Sequence, residues 1–285
     1  MALRWTMAAD YEAMGRIAAE RIFTVVRDRL ALGRPMLLGL ATGKTMLGLY
    51  GRLAAMLNES GVDLSLLHTV NLDEYVGADG RWIPEDHPLS YRGYMAQNFF
   101  GRLRPRLNMK SANIHFPEPA DTAALDEWVL GMGGLDFQLL GLGFNGHIGF
   151  NEPISEAVMP VRDFAALPSR VVALEDLTIE TNARLTAGGD RSAVPRHAAT
   201  VGMRTILAAK EIMLLACFPE QRRPLSVMLE GAVTPELPGS YLNGHPDATV
   251  VWAEAEVHMA EAVSGRGGHL GAPSRSVATG ENVRH

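Results

Sequence analysis

Short apolar runs alternate along this chain with longer amphipathic stretches, and that alternation restricts the fold more than any other property of the sequence. The runs at residues 36–40, 66–72, 137–142, 211–217 and 248–253 have the length and apolar character of buried strands. Residues 9–30, 45–57, 91–103, 121–130, 203–209 and 222–230 read as helices. In the first of these, Met14, Ile17, Ala18, Ile22 and Val25 recur at helical spacing with charges between them. Strands separated by helices need crossover connections, which produce a mainly parallel sheet with helices on both faces. A single α/β domain is therefore predicted over residues 1–263. Residues 264–285 are rich in Gly, Ser and Arg without periodicity and are expected to form a disordered tail.

Composition removes several function classes. With 47% hydrophobic and 20% charged residues in a chain of 285, there is ample material for a large core. No apolar run approaches the ~18 residues of a membrane span, and the N-terminus lacks the apolar stretch of a signal peptide. Cys217 is the single cysteine, so no internal disulfide forms, and a reducing cytoplasm is the expected setting. A net charge of −6 without a basic patch argues against nucleic acid as a partner. A homo-oligomer is allowed but not specified.

Four segments carry chemistry. In 135–153, LDFQLLGLGFNGHIGFNEP, an apolar strand runs into a glycine-rich loop holding His147 and Glu152. Ligands of open α/β sheets bind in the crevice outside the carboxyl ends of the strands, so this pair is placed for proton transfer. In 39–45, GLATGKT, a strand leads through Thr42, Gly43, Lys44 and Thr45 into a helix start whose free amides suit a phosphate. The spacing is one residue short of a Walker A loop; Thr42 or Thr45 could equally cap the helix. In 70–77, VNLDEYVG, a strand ends in two adjacent acids, and because successive side chains point to opposite faces, only one of Asp73 and Glu74 should face the crevice. A carboxylate partly desolvated there would have its pKa raised toward the range useful for taking a proton from carbon. In 87–100, HPLSYRGYMAQNFF, Ser90 can cap a helix, and His87 and Tyr91 stand beside it without a fixed role. His68, His87, His115, His147 and His197 do not occur at zinc-ligand spacings, and no G-x-S-x-G elbow is present. What is left is acid/base chemistry, without metal or cofactor, on a small molecule carrying phosphate.

Taken in order, GLATGKT, NLDEYVG, HPLSYRGYMAQNFF, GLGFNGHIGFNEP and VPRHAATVGMRTILAAKEIMLL make the chain resemble the glucosamine-6-phosphate deaminase family over roughly residues 10–255. The HIGFNEP ending separates it from the related 6-phosphogluconolactonases. The resemblance implies a modified Rossmann-type fold and conversion of an amino-sugar 6-phosphate and water to a keto-sugar 6-phosphate and ammonia, with no cofactor. It also implies that Asp73 moves a proton between C2 and C1, that His147 opens the ring, and that Glu152 orients or charges His147. The amides of Thr42 to Thr45 and the side chain of Arg184 would hold the phosphate.

Departures from the family pattern bear on the site. Asn145 stands where many members have Asp, which is expected to cost His147 a charge partner. Lys44 replaces a small residue and Met46 a proline. PEQRR replaces a segment that usually supplies a phosphate-binding lysine, with Arg222 the best substitute and Arg223 the next. Residues 155–170 do not match the allosteric region of regulated members, so no such activation is predicted. The alternatives are a deaminase of another amino-sugar phosphate such as galactosamine 6-phosphate, a lactonase-like hydrolase, and a sugar-phosphate sensor that does not turn over.

Overall fold

A computed structural model of the chain describes residues 3–265. In chain order its main elements are β1 (Arg4–Ala8), α1 (Tyr11–Leu30), β2 (Met36–Leu40), α2 (Leu47–Ser60), β3 (Leu67–Asn71), β4 (Asp73–Val76), α3 (Tyr91–Asn98), β5 (Ile114–His115), α4 (Thr122–Gly131) and β6 (Phe137–Gly141). There follow α5 (Val161–Ala165), β7 (Arg170–Ala173), α6 (Asp176–Thr186), β8 (His197–Thr200), α7 (Met203–Leu207), β9 (Ile212–Ala216), α8 (Arg222–Leu229) and β10 (Ala248–Ala253). Seven strands form one parallel sheet in the order β1-β10-β9-β6-β2-β3-β5. None of the described helices is long and apolar enough to cross a membrane.

The local reasons are conventional. Every residue of β2 and β9 is buried, as expected of strands with parallel neighbours on both sides and helices over both faces. Asp10 caps α1 by accepting from the Ala13 amide, and the helix buries Met14, Ala18, Ile22 and Val25 on the sheet. Gly61 in the left-handed region ends α2. From β2 the chain moves outward to β3 and β5, then returns to lay β6 on the other side of β2. The carboxyl ends of β2 and β6 therefore flank a topological switch point, where a crevice must open.

The structure differs from expectation in several places, and β5, α5 and α6 are elements not predicted from the sequence. An antiparallel sheet, β4-β8-β7, stands beside the parallel one, built partly from the stretch after residue 153 that lacks any clear strand pattern. β1 precedes the first helix and pairs with β10. The helix expected over 45–57 opens with a tight turn at Lys44–Met46, and neither Thr42 nor Thr45 caps it through a side chain. The helix expected over 91–103 ends at Asn98 and gives way to a tight turn at Phe100–Arg102. The expected tail lies outside the described residues except for Ser264 and Gly265.

Candidate active site

A cavity of about 450 Å³ opens at the switch point. Its floor is the loop after β2 (Ala41 to Thr45) and the loop after β6 (Leu142 to His147). Asp73 and Tyr75 come from β4, Tyr91 and Tyr94 from α3, and Thr178 and Asn182 from α6.

Asp73 opens β4 where the chain leaves the parallel sheet, and it is 6% exposed. Burial drives its carboxyl pKa up to about 7; His147 pulls it back in part, and the charge of Glu74 adds to the rise. Glu74 points the other way, as strand alternation requires. Fully buried, it accepts from Ser90 Oγ (2.8 Å), the Tyr91 amide (3.0 Å) and the Arg92 amide (2.9 Å), which satisfies the N-terminus of α3. Glu74 is therefore outside the cavity and holds up the helix that lines it.

His147 sits in the loop after β6, its Nδ1 3.0 Å from Glu152 Oε2 and 3.4 Å from Thr178 Oγ1. Engaging Nδ1 with a carboxylate leaves Nε2 for the cavity. Burial opposes the charged imidazole, but the charge and hydrogen bond of Glu152, helped by Asp73, outweigh it, and the His147 pKa is raised. Burial likewise opposes the Glu152 carboxylate, and His147, Thr178 and Asn145 overcome this to bring it down to about 2. A Cβ on Gly143 would lie 2.5 Å from the His147 ring, so only glycine lets the loop fold back under the imidazole.

Asn145 brings no charge to His147 and bonds Glu152 instead. Its Nδ2 donates to Glu152 Oε2 at 2.7 Å, and its Oδ1 accepts from the His147 amide at 3.2 Å. It serves Glu152 as a neutral donor that stabilises the ionised carboxylate, so the charge on His147 is supported through Glu152.

In the loop after β2, Gly43 adopts φ +106° and the turn that follows exposes the first amides of the helix. The loop is braced by two tyrosines: Tyr94 Oη donates to Gly43 O (2.8 Å), and Tyr11 Oη donates to Lys44 O (3.0 Å). Lys44 is exposed, and it is the single Lys or Arg among the residues lining the cavity. Arg184 stands on α6 at the rim, where it pairs with Glu220. Arg222, Arg223 and His87 do not line the cavity; the position in PEQRR that does is Gln221. Its amide is spent internally, accepting from the Cys217 and Phe218 amides and donating to Leu142 O. Sequence reasoning missed Thr178 and Asn182. Their signal is a polar face on α6, Thr178, Thr181 and Asn182 at three- and four-residue spacing. Among the described residues, no group of three His, Cys, Asp or Glu side chains is arranged to hold a metal ion.

The chain belongs to the family of glucosamine-6-phosphate isomerases and 6-phosphogluconolactonases, whose model matches residues 9–155. It is 35% identical over 251 residues to a glucosamine-6-phosphate deaminase of Thermoanaerobacter pseudethanolicus, covering 86% of this chain and 90% of the relative. A glucosamine-6-phosphate deaminase of Clostridium perfringens is 36% identical over 255 residues, 87% of this chain and 96% of that protein. Among solved structures, a monomeric glucosamine-6-phosphate deaminase superposes with TM-score 0.76 at 31% identity, over 88% of this chain and 97% of the other. The 6-phosphogluconolactonase of Thermotoga maritima, at 17% identity and TM-score 0.60 over 88% of this chain and 98% of that one, shares the fold.

Proposed function

We propose that this protein is a glucosamine-6-phosphate deaminase, converting glucosamine 6-phosphate and water to fructose 6-phosphate and ammonia. The observation that carries the reading is Asp73, a buried carboxylate in the cavity whose proton affinity lies near neutrality. Hydrolysis of a lactone needs no proton taken from carbon; an aldose-to-ketose shift does. The deaminases to which the chain is similar support the same choice.

Each step has a group suited to it. Lys44 and the amides of Gly43 to Thr45 bind the phosphate as point charge and helix-start donors. His147, oriented through Nδ1, takes the proton of the sugar's O1 hydroxyl on Nε2 and delivers it to the ring oxygen, which opens the pyranose. Asp73 as carboxylate then takes the proton from C2 while O1 gains a proton, giving an enolamine; returning the proton to C1 while the nitrogen gives one up leaves a hydroxyl at C1 and an imine at C2. Water adds to that carbon, the C–N bond breaks, and ammonia leaves with the C2 carbonyl formed. Asn145 and Thr178 hold Glu152 and His147 in register for the first step. The protein acts on a small molecule, and a cytoplasmic setting fits the single buried thiol of Cys217.

The test is to supply glucosamine 6-phosphate and galactosamine 6-phosphate separately and to measure ammonia and keto-sugar phosphate together. Equal release of both products from glucosamine 6-phosphate is expected. Release from the galactose epimer alone would change the substrate; release from neither, with hydrolysis of 6-phosphogluconolactone, would overturn the reading. Asp73→Asn should lower turnover by about 10²- to 10⁴-fold, the range for loss of a general base, while inorganic phosphate still binds.

A further inference from the structure

The ion pair of Arg184 and Glu220 has no part in the steps above, yet both partners sit among residues that line the cavity. Arg184 lies on α6 between Asn182 and Leu185, and Glu220 lies in the turn after β9 between Phe218 and Gln221; all four flanking residues face the cavity. Arg184 Nη2 donates to Glu220 Oε1 at 2.9 Å. The guanidinium also rests 5.8 Å from the ring centroid of Phe144, another lining residue. The pair thus ties α6 to the opposite lip of the site. In this arrangement Arg184 is kept off the cavity wall, with a carboxylate in the position an anionic ligand would take.

We propose that Glu220 is a stand-in anion for the substrate's phosphate: it holds Arg184 at the rim of the empty enzyme, and an incoming phosphate group takes the guanidinium by displacing the carboxylate. The inference rests on reading the cavity as a sugar-phosphate site, and it adds a residue that sets how strongly that site selects for charge. A guanidinium fork accepts either carboxylate or phosphate, and a phosphate monoester brings a charge of about −1.5 to −2 against −1 for Glu220. A neutral sugar brings nothing to exchange. The pair is built to be exchanged, since the Arg184 and Glu220 side chains are 59% and 41% exposed and an ion pair that open to water is weak. Glu220 is ionised at neutral pH, its own backbone amide and Arg184 holding its carboxyl below the ordinary range.

The test uses the full-length enzyme with Glu220→Gln, Arg184→Gln and the double variant. KM and kcat are measured with glucosamine 6-phosphate, and the Kd of inorganic phosphate by calorimetry. Glu220→Gln should lower both KM and the phosphate Kd by about two- to fivefold, the span of an exposed ion pair, with the effect falling on KM and not on kcat. In the Arg184→Gln background the same change should have no effect on either constant. Unchanged KM and Kd in Glu220→Gln would overturn the proposal. So would an equal gain without Arg184, which would make Glu220 a general source of repulsion. If the unmutated enzyme turned over no amino-sugar phosphate, the proposed function would fall, and the phosphate Kd series would still decide the role of Glu220 by the same two outcomes.

Discussion

At the scale of single residues, the site depends on two carboxylates driven in opposite directions. Asp73 has few partners and is pushed up to about 7 by burial, whereas Glu152, held by a histidine, an asparagine and a threonine, is brought down to about 2. Only the ionised form of Asp73 can take a proton from carbon, so kcat/KM should rise as pH passes through about 7 and flatten above it. A profile already flat from pH 5 upward would contradict the assignment. The same shift bears on stability. Asp73 binds its proton more tightly in the folded protein than in the unfolded chain, where its pKa is about 3.9. Its favourable contribution is complete below about pH 4 and is lost as pH rises through about 7. Asp73→Asn should therefore raise the melting temperature more at pH 8 than at pH 5, and thermal unfolding of both proteins at the two pH values reads the difference. Much of this was legible in sequence, because adjacent acids at a strand end and a histidine five residues before a glutamate are local patterns. The partnership of Asn145 with Glu152 was not, because it depends on how the glycine loop folds back on itself.

At the scale of elements, the link between β4 and α3 decides whether Asp73 and the tyrosines face one cavity. Glu74 makes that link by accepting at the start of α3, with Arg92 Nε 3.4 Å away. Glu74→Ala leaves the α3 amides without their buried acceptor and the Arg92 guanidinium without its counter-charge. Breaking a buried charge pair costs on the order of 3–5 kcal/mol, and in a chain of this size each kcal/mol is worth about 2–4 °C. A fall in melting temperature of roughly 6 °C or more is expected by calorimetry; a fall below about 2 °C would mean that the helix start is satisfied some other way. The parallel sheet could be read from sequence because its strands are uninterrupted apolar runs. The antiparallel sheet could not. β7, RVVA, alternates half-buried with exposed residues and leaves Val171 41% exposed, and β8 is HAAT; each is only four residues long, too short for its pattern to mark a strand. β1 escaped notice for a related reason, since RWTMA mixes charge and apolar residues at the edge of the sheet.

At the scale of the whole molecule, the cavity lies between two hydrophobic cores of unequal size. The larger packs helices on the parallel sheet. The smaller gathers Tyr75, Ile83, Leu89, Phe150, Ile179, Val194 and Ala198 around the antiparallel sheet and α6. The loop after β2 and the histidine loop belong to the first body, while Thr178 and Asn182 belong to the second. A ligand in contact with both joins them. Local stability follows buried apolar contact, so the smaller body should open more readily than the centre of the parallel sheet. α6 in particular turns part of its inner face to the cavity instead of to packed side chains. Hydrogen exchange in the empty enzyme should therefore be faster for the amides of α6 and β7 than for those of β2, β6 and β9. If Lys44 and the loop after β2 take the phosphate, as proposed, inorganic phosphate alone should slow exchange there and, through Arg184, at the C-terminal turn of α6. Fructose 6-phosphate, the product of the proposed reaction, fills the cavity and should slow exchange along the whole helix. At one hundred times its Kd a ligand adds about 2.7 kcal/mol, enough to slow exchange about a hundredfold wherever opening requires its release. Uniform exchange across both bodies, unchanged by either ligand, would mean that the two cores open as one unit and that the cavity wall formed by α6 is as rigid as the sheet beneath it.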